Sequence, residues 1–408
     1  MKKNSYPFIA LLVLIATALA CASPLGGGSN QPSSADQVAT VVAATFQALT
    51  PVTSGGETLV PESEGILPHA LYYLNNDKTG IPQVFRLAPD AKTIAQLTFE
   101  PSAVSSYDVS MADGSIVYVA NNQVLLVNAD GSGRRILVDG GPVDPNNPFT
   151  TSIGGPVFSP DGQTIAYSSN KGLNLYTVST GASNIVLERK SDSGSPAEMY
   201  IPQKYAPDGT KLLLTTAIPN SDGISSGIYN FTTNTLVRLT GGDGARLCCT
   251  QQAWTSDSSA LYVGISSVGM FGSGLWRVDA SSGNLTTLLP TEAGGGAYNL
   301  ASFPYLAPDG NLYFFYNTAL NPDGFIDRPL LQINRSGPDG VTNGAVLSSE
   351  TFESLNEALW APDANFVIAV KAPDKTVYAG GAIELYYVDG AKGMIPLLPF
   401  GQQLKWGP

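Results

Sequence analysis

Phe158-Ser159-Pro160-Asp161-Gly162, followed by Ile165-Ala166-Tyr167 and then by Leu173-Asn174-Leu175-Tyr176-Thr177-Val178, is the stretch that decides the fold. An extended run ends in a Pro-Asp-Gly turn. There Pro pre-sets φ, Asp can accept from the backbone ahead, and Gly tolerates positive φ. The next run alternates apolar and small side chains, as a packed strand does. A third run closes at Ser179-Thr180-Gly181. The stretch predicts successive antiparallel strands joined by tight turns.

The unit recurs at Tyr205-Ala206-Pro207-Asp208-Gly209, Trp254-Thr255-Ser256-Asp257, Leu306-Ala307-Pro308-Asp309-Gly310 and Trp360-Ala361-Pro362-Asp363, with a degenerate copy at Met111-Ala112-Asp113-Gly114. The marker aspartates 113, 161, 208, 257, 309 and 363 are spaced by 48, 47, 49, 52 and 54 residues. That period holds about four short strands, the size of one propeller blade. One blade cannot bury both of its faces, so blades must stack in a ring. The expected fold is an all-β, seven-bladed β-propeller over residues 65–408, with a six-bladed ring as the alternative. Leu71-Tyr72-Tyr73-Leu74 and Gln83-Val84-Phe85-Arg86-Leu87 read as strands of a first blade that no marker precedes. Trp406-Gly407-Pro408 falls one repeat after Trp360 and resembles the start of the motif. Residues 400–407 are therefore predicted to pair beside residues 70–75 and close the ring.

Composition agrees with many turns. Of 408 residues, 13% are charged, against about 25% in an average chain, while Gly (43) and Pro (29) are abundant. Such a chain is poorly suited to long solvated helices. A net charge of −12 argues against nucleic-acid binding, which needs a basic stripe. One histidine and three cysteines leave little for a zinc site or a histidine catalyst.

The first 64 residues read as an address and a tether. Lys2 and Lys3 precede the apolar run Phe8–Leu19, which ends in Ala18-Leu19-Ala20-Cys21, a secretory signal over residues 1–20. A cysteine directly after a small residue resembles a bacterial lipobox, although Ala18 stands where that motif usually has Leu. The expectation is a lipoprotein held by lipidated Cys21 at the outer face of the cytoplasmic membrane, or a secreted protein if Cys21 is free. Removing the signal leaves 19 basic against 33 acidic side chains, a net charge of −14. Residues 22–64 form a spacer that would span roughly 36 Å as a flexible coil. Inside it, Val38, Val41, Val42, Thr45, Phe46 and Leu49 share one face of a predicted helix over 36–49, docked on its own domain or on a partner.

Val127-Asn128-Ala129-Asp130-Gly131-Ser132-Gly133-Arg134-Arg135-Ile136-Leu137, with Phe158–Gly162 and the Asn75–Gly80 loop ahead of Gln83-Val84-Phe85, resembles the repeats of TolB-type, WD-like propellers. The resemblance covers about residues 66–408. It implies a propeller of structural repeats, and it carries no functional residue over by position. The family's TolB proteins have an α/β domain ahead of the propeller. Here the spacer occupies that place.

Candidate chemistry is sparse. Gly223-Ile224-Ser225-Ser226-Gly227 matches the G-x-S-x-G nucleophile elbow, which needs a strand before it, a helix after it and a His partner. The stretch reads instead as a flexible hairpin loop. The only histidine, His69, reads as a surface or strand-edge residue. Adjacent Cys248 and Cys249 stand about 3.8 Å apart at Cα, short of the usual disulfide range. A vicinal disulfide and two packed thiols both remain open. Calcium is the metal best suited to the loops bearing Asp139, Asp144, Asn146 and Asn147, or Asp323 and Asp327, although neither has EF-hand spacing. Loop capping by these side chains is the simpler expectation, so no cofactor is expected.

Long loops on a rigid scaffold are where function concentrates. The links between second and third strands, over 217–227, 266–274, 317–329 and 372–382, lie on one face together with the inter-blade link 139–152. Asp144, Asn146, Phe149, Phe271, Asp323, Phe325, Asp327 and Tyr378 are the candidate binding residues of that face. The expected function is a binding module for a protein, peptide or glycan outside the cytoplasm. The alternatives are a glycan hydrolase or lyase working with Asp/Glu pairs, and a structural adaptor of an envelope complex.

Overall fold

The computed structural model describes residues 65–408 apart from 191–196, 220–223, 240–246, 248–250, 269–271, 321–325 and 391. The chain divides into two units, and the described residues belong to the second, Glu62–Pro408. The signal, Cys21, the 36–49 helix and the Cys248–Cys249 pair lie outside the described residues.

The described unit is almost entirely β. Its strands are β1 Leu71–Asn76, β2 Pro82–Leu87, β3 Ile94–Gln96, β4 Ser106–Val109, β5 Ile116–Ala120, β6 Gln123–Val127 and β7 Arg135–Asp139. After a one-turn helix α1, Pro148–Thr151, come β8 Gly154–Phe158, β9 Thr164–Ser169, β10 Gly172–Thr177, β11 Ser183–Glu188, β12 Met199–Tyr205, β13 Lys211–Ala217, β14 Ile224–Asn230 and β15 Thr235–Leu239. Then follow β16 Gln251–Trp254, β17 Ala260–Ile265, β18 Gly274–Asp279, β19 Leu285–Leu289, β20 Glu292–Gly294, β21 Ala297–Leu306, β22 Leu312–Leu320, β23 Gln332–Ser336 and β24 Ala345–Val346. The last are β25 Leu355–Trp360, β26 Phe366–Lys371, β27 Gly381–Tyr387 and β28 Ile395–Trp406. Neighbouring strands pair in sequence order: β4–β7, β8–β11, β12–β15 and β16–β19 form four-stranded sheets, and β20–β24 a five-stranded one. The remaining sheet runs β25-β26-β27-β28-β1-β2-β3.

The marker motif forms the turn its residues dictate. Each of Asp113, Asp161, Asp208, Asp257, Asp309 and Asp363 accepts from the backbone N–H two residues ahead, at 2.9–3.0 Å. The residue after the aspartate sits at positive φ, 68° at Gly162 and 81° at Gly310. Where the sequence lacks glycine the turn keeps that geometry, with φ 60° at Ser258 and 58° at Ala364.

Each sheet is apolar on both faces, and successive sheets enclose shared clusters. Tyr72, Leu74 and Val84 pack with Tyr107, Val109 and Tyr118. Val119 and Val124 meet Phe158, Ile165 and Tyr167, and Ala166 and Leu173 meet Tyr205, Leu212 and Leu214. The series continues through Leu213, Ile228, Trp254 and Leu261, then Tyr262, Leu275, Leu312 and Phe314, then Phe315, Ile333, Trp360 and Val367. It returns to the start where Ile368, Val370 and Leu385 pack with Leu71, Tyr73 and Leu87. Each fully buried side chain of this size contributes roughly 1.5–3 kcal/mol.

First strands of neighbouring units are also tied by polar groups. The Nε1–H of Trp360 donates to the Phe303 carbonyl at 2.8 Å, that of Trp406 to the Trp360 carbonyl at 2.8 Å, and that of Trp254 to the Lys204 carbonyl at 3.3 Å. β28 has a double role. Its Ile395–Gly401 half pairs with β27, and its Gln402–Trp406 half pairs antiparallel with β1, Leu71 opposite Trp406 and Leu74 opposite Gln402. Between the halves Gln403 bulges at φ 54°. The Glu357 carboxylate pins that bulge, accepting from the N–H groups of Gln403 (2.7 Å) and Leu404 (2.9 Å). Burial pushes the Glu357 carboxyl above the usual range, against these two N–H groups and Lys405.

Candidate functional site

The antiparallel order puts the marker turns at one end of the sheets and the links between second and third strands at the other. At the link end a polar cleft of about 200 Å³ lies among β17, β21, β25 and the links that follow β22 and β26. An isolated bridge between Val268 and Ile326 and another between Leu331 and Phe352 fasten the β22–β23 link across its neighbours. Asp327, Arg328 and Pro329 are thereby held over the cleft.

Arg328 organises the cleft from a left-handed backbone, φ 54°. Its Nη1 donates to Asn356 Oδ1 at 2.6 Å and its Nη2 to the Val377 carbonyl at 2.5 Å. The guanidinium carbon lies 4.4 Å from the centroid of the Tyr378 ring, within cation–π reach. The Tyr378 hydroxyl donates to Asp327 Oδ2 at 2.5 Å. This bond to a carboxylate raises the phenol's pKa above the ordinary tyrosine value, and the nearby guanidinium partly offsets it. Asn356 Nδ2 donates to the Gly380 carbonyl at 2.6 Å, which locks the facing loop. Glu353 and Lys375 pair at 2.7 Å on the rim.

Two polar atoms in the cleft lack partners among the described residues. Ser302 is 1% exposed, yet its hydroxyl has no hydrogen bond; the buried Arg328 Nε is likewise unpaired. A buried polar atom without a partner costs about 1–3 kcal/mol, so the pair marks a place where an incoming hydrogen-bonding group would be stabilised.

The structure brings Asp327 and Tyr378 together, as parts of this cleft. Asp144 and Asn146 sit elsewhere, in the β7–β8 link. There the Asp144 carboxylate accepts from the Asn146 N–H at 2.8 Å and from Asn147 Nδ2 at 3.5 Å, which is loop capping. Asp139 likewise accepts from the Gly141 N–H at 2.9 Å. Phe149 lies in α1, but its side chain is outside the described part, as are Phe271, Asp323 and Phe325. Among the described residues no group of three or more His, Cys, Asp or Glu is arranged to hold a metal. Arg328, Asn356 and Ser302 escaped sequence reasoning. Only the Asp-Arg pair at 327–328 in a flagged link could have pointed to the arginine, and Ser302 lies inside a strand.

Two expectations need correction. Ile224–Gly227 is not a loop: it lies in β14, paired with β13 and leading into a further strand. Side chains in a regular strand cannot adopt the strand–helix elbow geometry. Ser226 instead accepts from Gln252 Nε2 at 2.8 Å. The links are correspondingly shorter than supposed, because β14 starts at Ile224 and β22 extends to Leu320. His69 needs no such correction: it stands just ahead of β1, intermediate in exposure, its ring 6.4 Å from that of Trp406.

No family model and no curated protein matches this chain. Solved structures do resemble it. TolB from Acinetobacter baumannii is 17% identical with a TM-score of 0.41, over 94% of this chain and 75% of that one. An oligogalacturonate lyase in complex with manganese is 11% identical with a TM-score of 0.50, over 82% and 86%. A puromycin-hydrolyzing peptidase of Mycobacterium tuberculosis is 12% identical with a TM-score of 0.54, over 82% of this chain and 52% of its own. The chain thus spans about half the length of that peptidase. At these identities the lyase and peptidase likenesses bear on fold alone, and the fold is a β-propeller.

Proposed function

We propose that this chain is an extracytoplasmic, membrane-anchored β-propeller that binds a protein, peptide or glycan through the face bearing the Arg328 cleft. The observation that carries the reading is the Ser302–Arg328 pair of buried, unpartnered polar atoms in a cleft whose rim offers a carboxylate, a phenol and an ion pair. Hydrogen-bonding ligands are what such a lining fits. A seven-bladed ring, closed by β28 lending its second half to the first blade, supplies the rigid frame. The cycle of apolar clusters that returns to Leu71, Tyr73 and Leu87 supports that count. Lipidated Cys21 would hold the ring at the membrane, and residues 22–64 would give it reach.

A photo-crosslinking amino acid at position 378, in the full chain expressed in an envelope, tests the binding face. The expected result is a discrete adduct that is absent when the probe stands at exposed Ile185 or Val346. Equal labelling from all three positions would reject the face. Incorporation of labelled fatty acid into the wild type but not into Cys21→Ser tests the anchor.

A further inference from the structure

At the other end of the sheets, among the marker turns, a cavity of about 480 Å³ is framed by β4, β8, β12, β25 and β28. A second of about 270 Å³ shares Lys204, Leu359 and Trp406 with it, so the two form one depression. Its walls are largely apolar, with Val157, Tyr205, Leu359, Leu404 and Trp406 among them. The size and lining are those of a small-molecule site.

The charges within it are unevenly matched. Lys405 Nζ pairs with Asp108 Oδ1 at 2.9 Å, and Asp108 Oδ2 accepts from the Phe158 N–H at 2.8 Å. Both Asp108 oxygens are therefore engaged. The nearby Glu357 uses its two oxygens on the β28 bulge. The Lys204 amine lines both parts of the depression, and among the described residues it has neither ion pair nor hydrogen bond. Its side chain is exposed to solvent where it lines the depression. Crowding by the surrounding protein lowers its pKa, Lys405 adds to the effect, and Asp108 opposes it.

We propose that the depression binds a small organic anion, a carboxylate on an apolar or ring-bearing body, with Lys204 as its ionic partner. One unmatched ammonium, with no guanidinium on the wall, suits a single negative charge rather than a phosphate clamp. The apolar walls suit the body of the ligand, and a carboxylate seated on them would meet the Lys204 ammonium in a charge-assisted bond. A cation would meet an Asp108 already paired and a Lys204 that repels it.

The test uses the full chain and three acids, hexanoate, phenylacetate and galacturonate, beside the neutral hexanamide, phenylacetamide and galactose. Binding is read by saturation-transfer NMR and by protection of Lys204 from acetic anhydride, with peptides quantified by mass spectrometry. At least one acid is expected to bind about tenfold or more tightly than its neutral counterpart and to protect Lys204. Lys204→Met should abolish the preference, Lys204→Arg should retain it, and Lys171→Met, in a distant turn, should leave it unchanged. The Lys204 side chain is exposed, so its replacement leaves the core intact, and circular dichroism of each variant checks the fold. No acid exceeding its neutral counterpart, or an unchanged preference in Lys204→Met, would overturn the proposal.

Discussion

Leu71 and Trp406, near opposite ends of the described chain, are register partners on adjacent antiparallel strands. The pairing gives β1 a neighbour on its inner side and ties the last strand to the first. Trp406 also donates its indole N–H to the Trp360 carbonyl. Trp406→Ala should cost about 2–4 kcal/mol, from lost apolar contact plus one hydrogen bond. Deleting residues 402–408 should cost more, because β1 then becomes an open edge. Urea unfolding at neutral pH measures both.

Glu100 should govern part of the acid stability. Its side chain is 3% exposed; the Arg134 guanidinium grips it at 2.6 and 2.9 Å, and the Tyr118 hydroxyl donates to it at 2.7 Å. The bond to Arg134 leads in holding the carboxyl below the usual range, with burial opposing. A depressed folded-state pKa means that this stabilisation is fully present above the unfolded value, about 4.3. It is lost as pH falls through the lower folded value. Glu100→Gln should cost about 1–3 kcal/mol at pH near 7, since Arg134 is half-exposed, and much less once the pH is below both values. Denaturation midpoints across that range check the sign.

Tyr378 should ionise later than an ordinary exposed tyrosine, because deprotonation would set a phenolate against the Asp327 carboxylate. In Asp327→Asn the phenol should titrate at lower pH than in the wild type. Ultraviolet difference absorbance of the two proteins, with Tyr378→Phe identifying the signal, reads this directly.

Ala364 occupies, at φ 58°, the turn position that Gly162, Gly209 and Gly310 hold in sister repeats. A left-handed conformation costs a non-glycine residue about 1–2 kcal/mol, against about 0.4–1 kcal/mol of extra unfolded-chain entropy for glycine. Ala364 also buries its methyl group in the cluster around Trp360, about 0.8 kcal/mol, so Ala364→Gly should stabilise by no more than about 0.5 kcal/mol, seen as a slightly higher urea midpoint with unchanged slope. Gly162→Ala should do the opposite, since its Cβ would also come within 2.9 Å of Ser110 Oγ.

Legibility followed the range of the forces involved. Asp161 and its five counterparts bond to a backbone group two residues away, so the turn and its period could be read from neighbouring residues alone. Tyr378 and Asp327 were recognisable as link residues, but the hydrogen bond between them joins links of two different repeats. Ser302 carried no sequence signal: a serine in an alternating strand becomes notable only when its hydroxyl is buried without a partner.

The sequence by itself determined the all-β character, the repeat and its turns, because Pro, Asp and Gly restrict the backbone locally and apolar alternation needs no distant residue to be recognised. Tertiary structure alone decided where polar groups meet: the Arg328 cleft and the unmatched Lys204 amine. Those depend on which side chains separate strands bring together, and on which partners are left over once burial has excluded water.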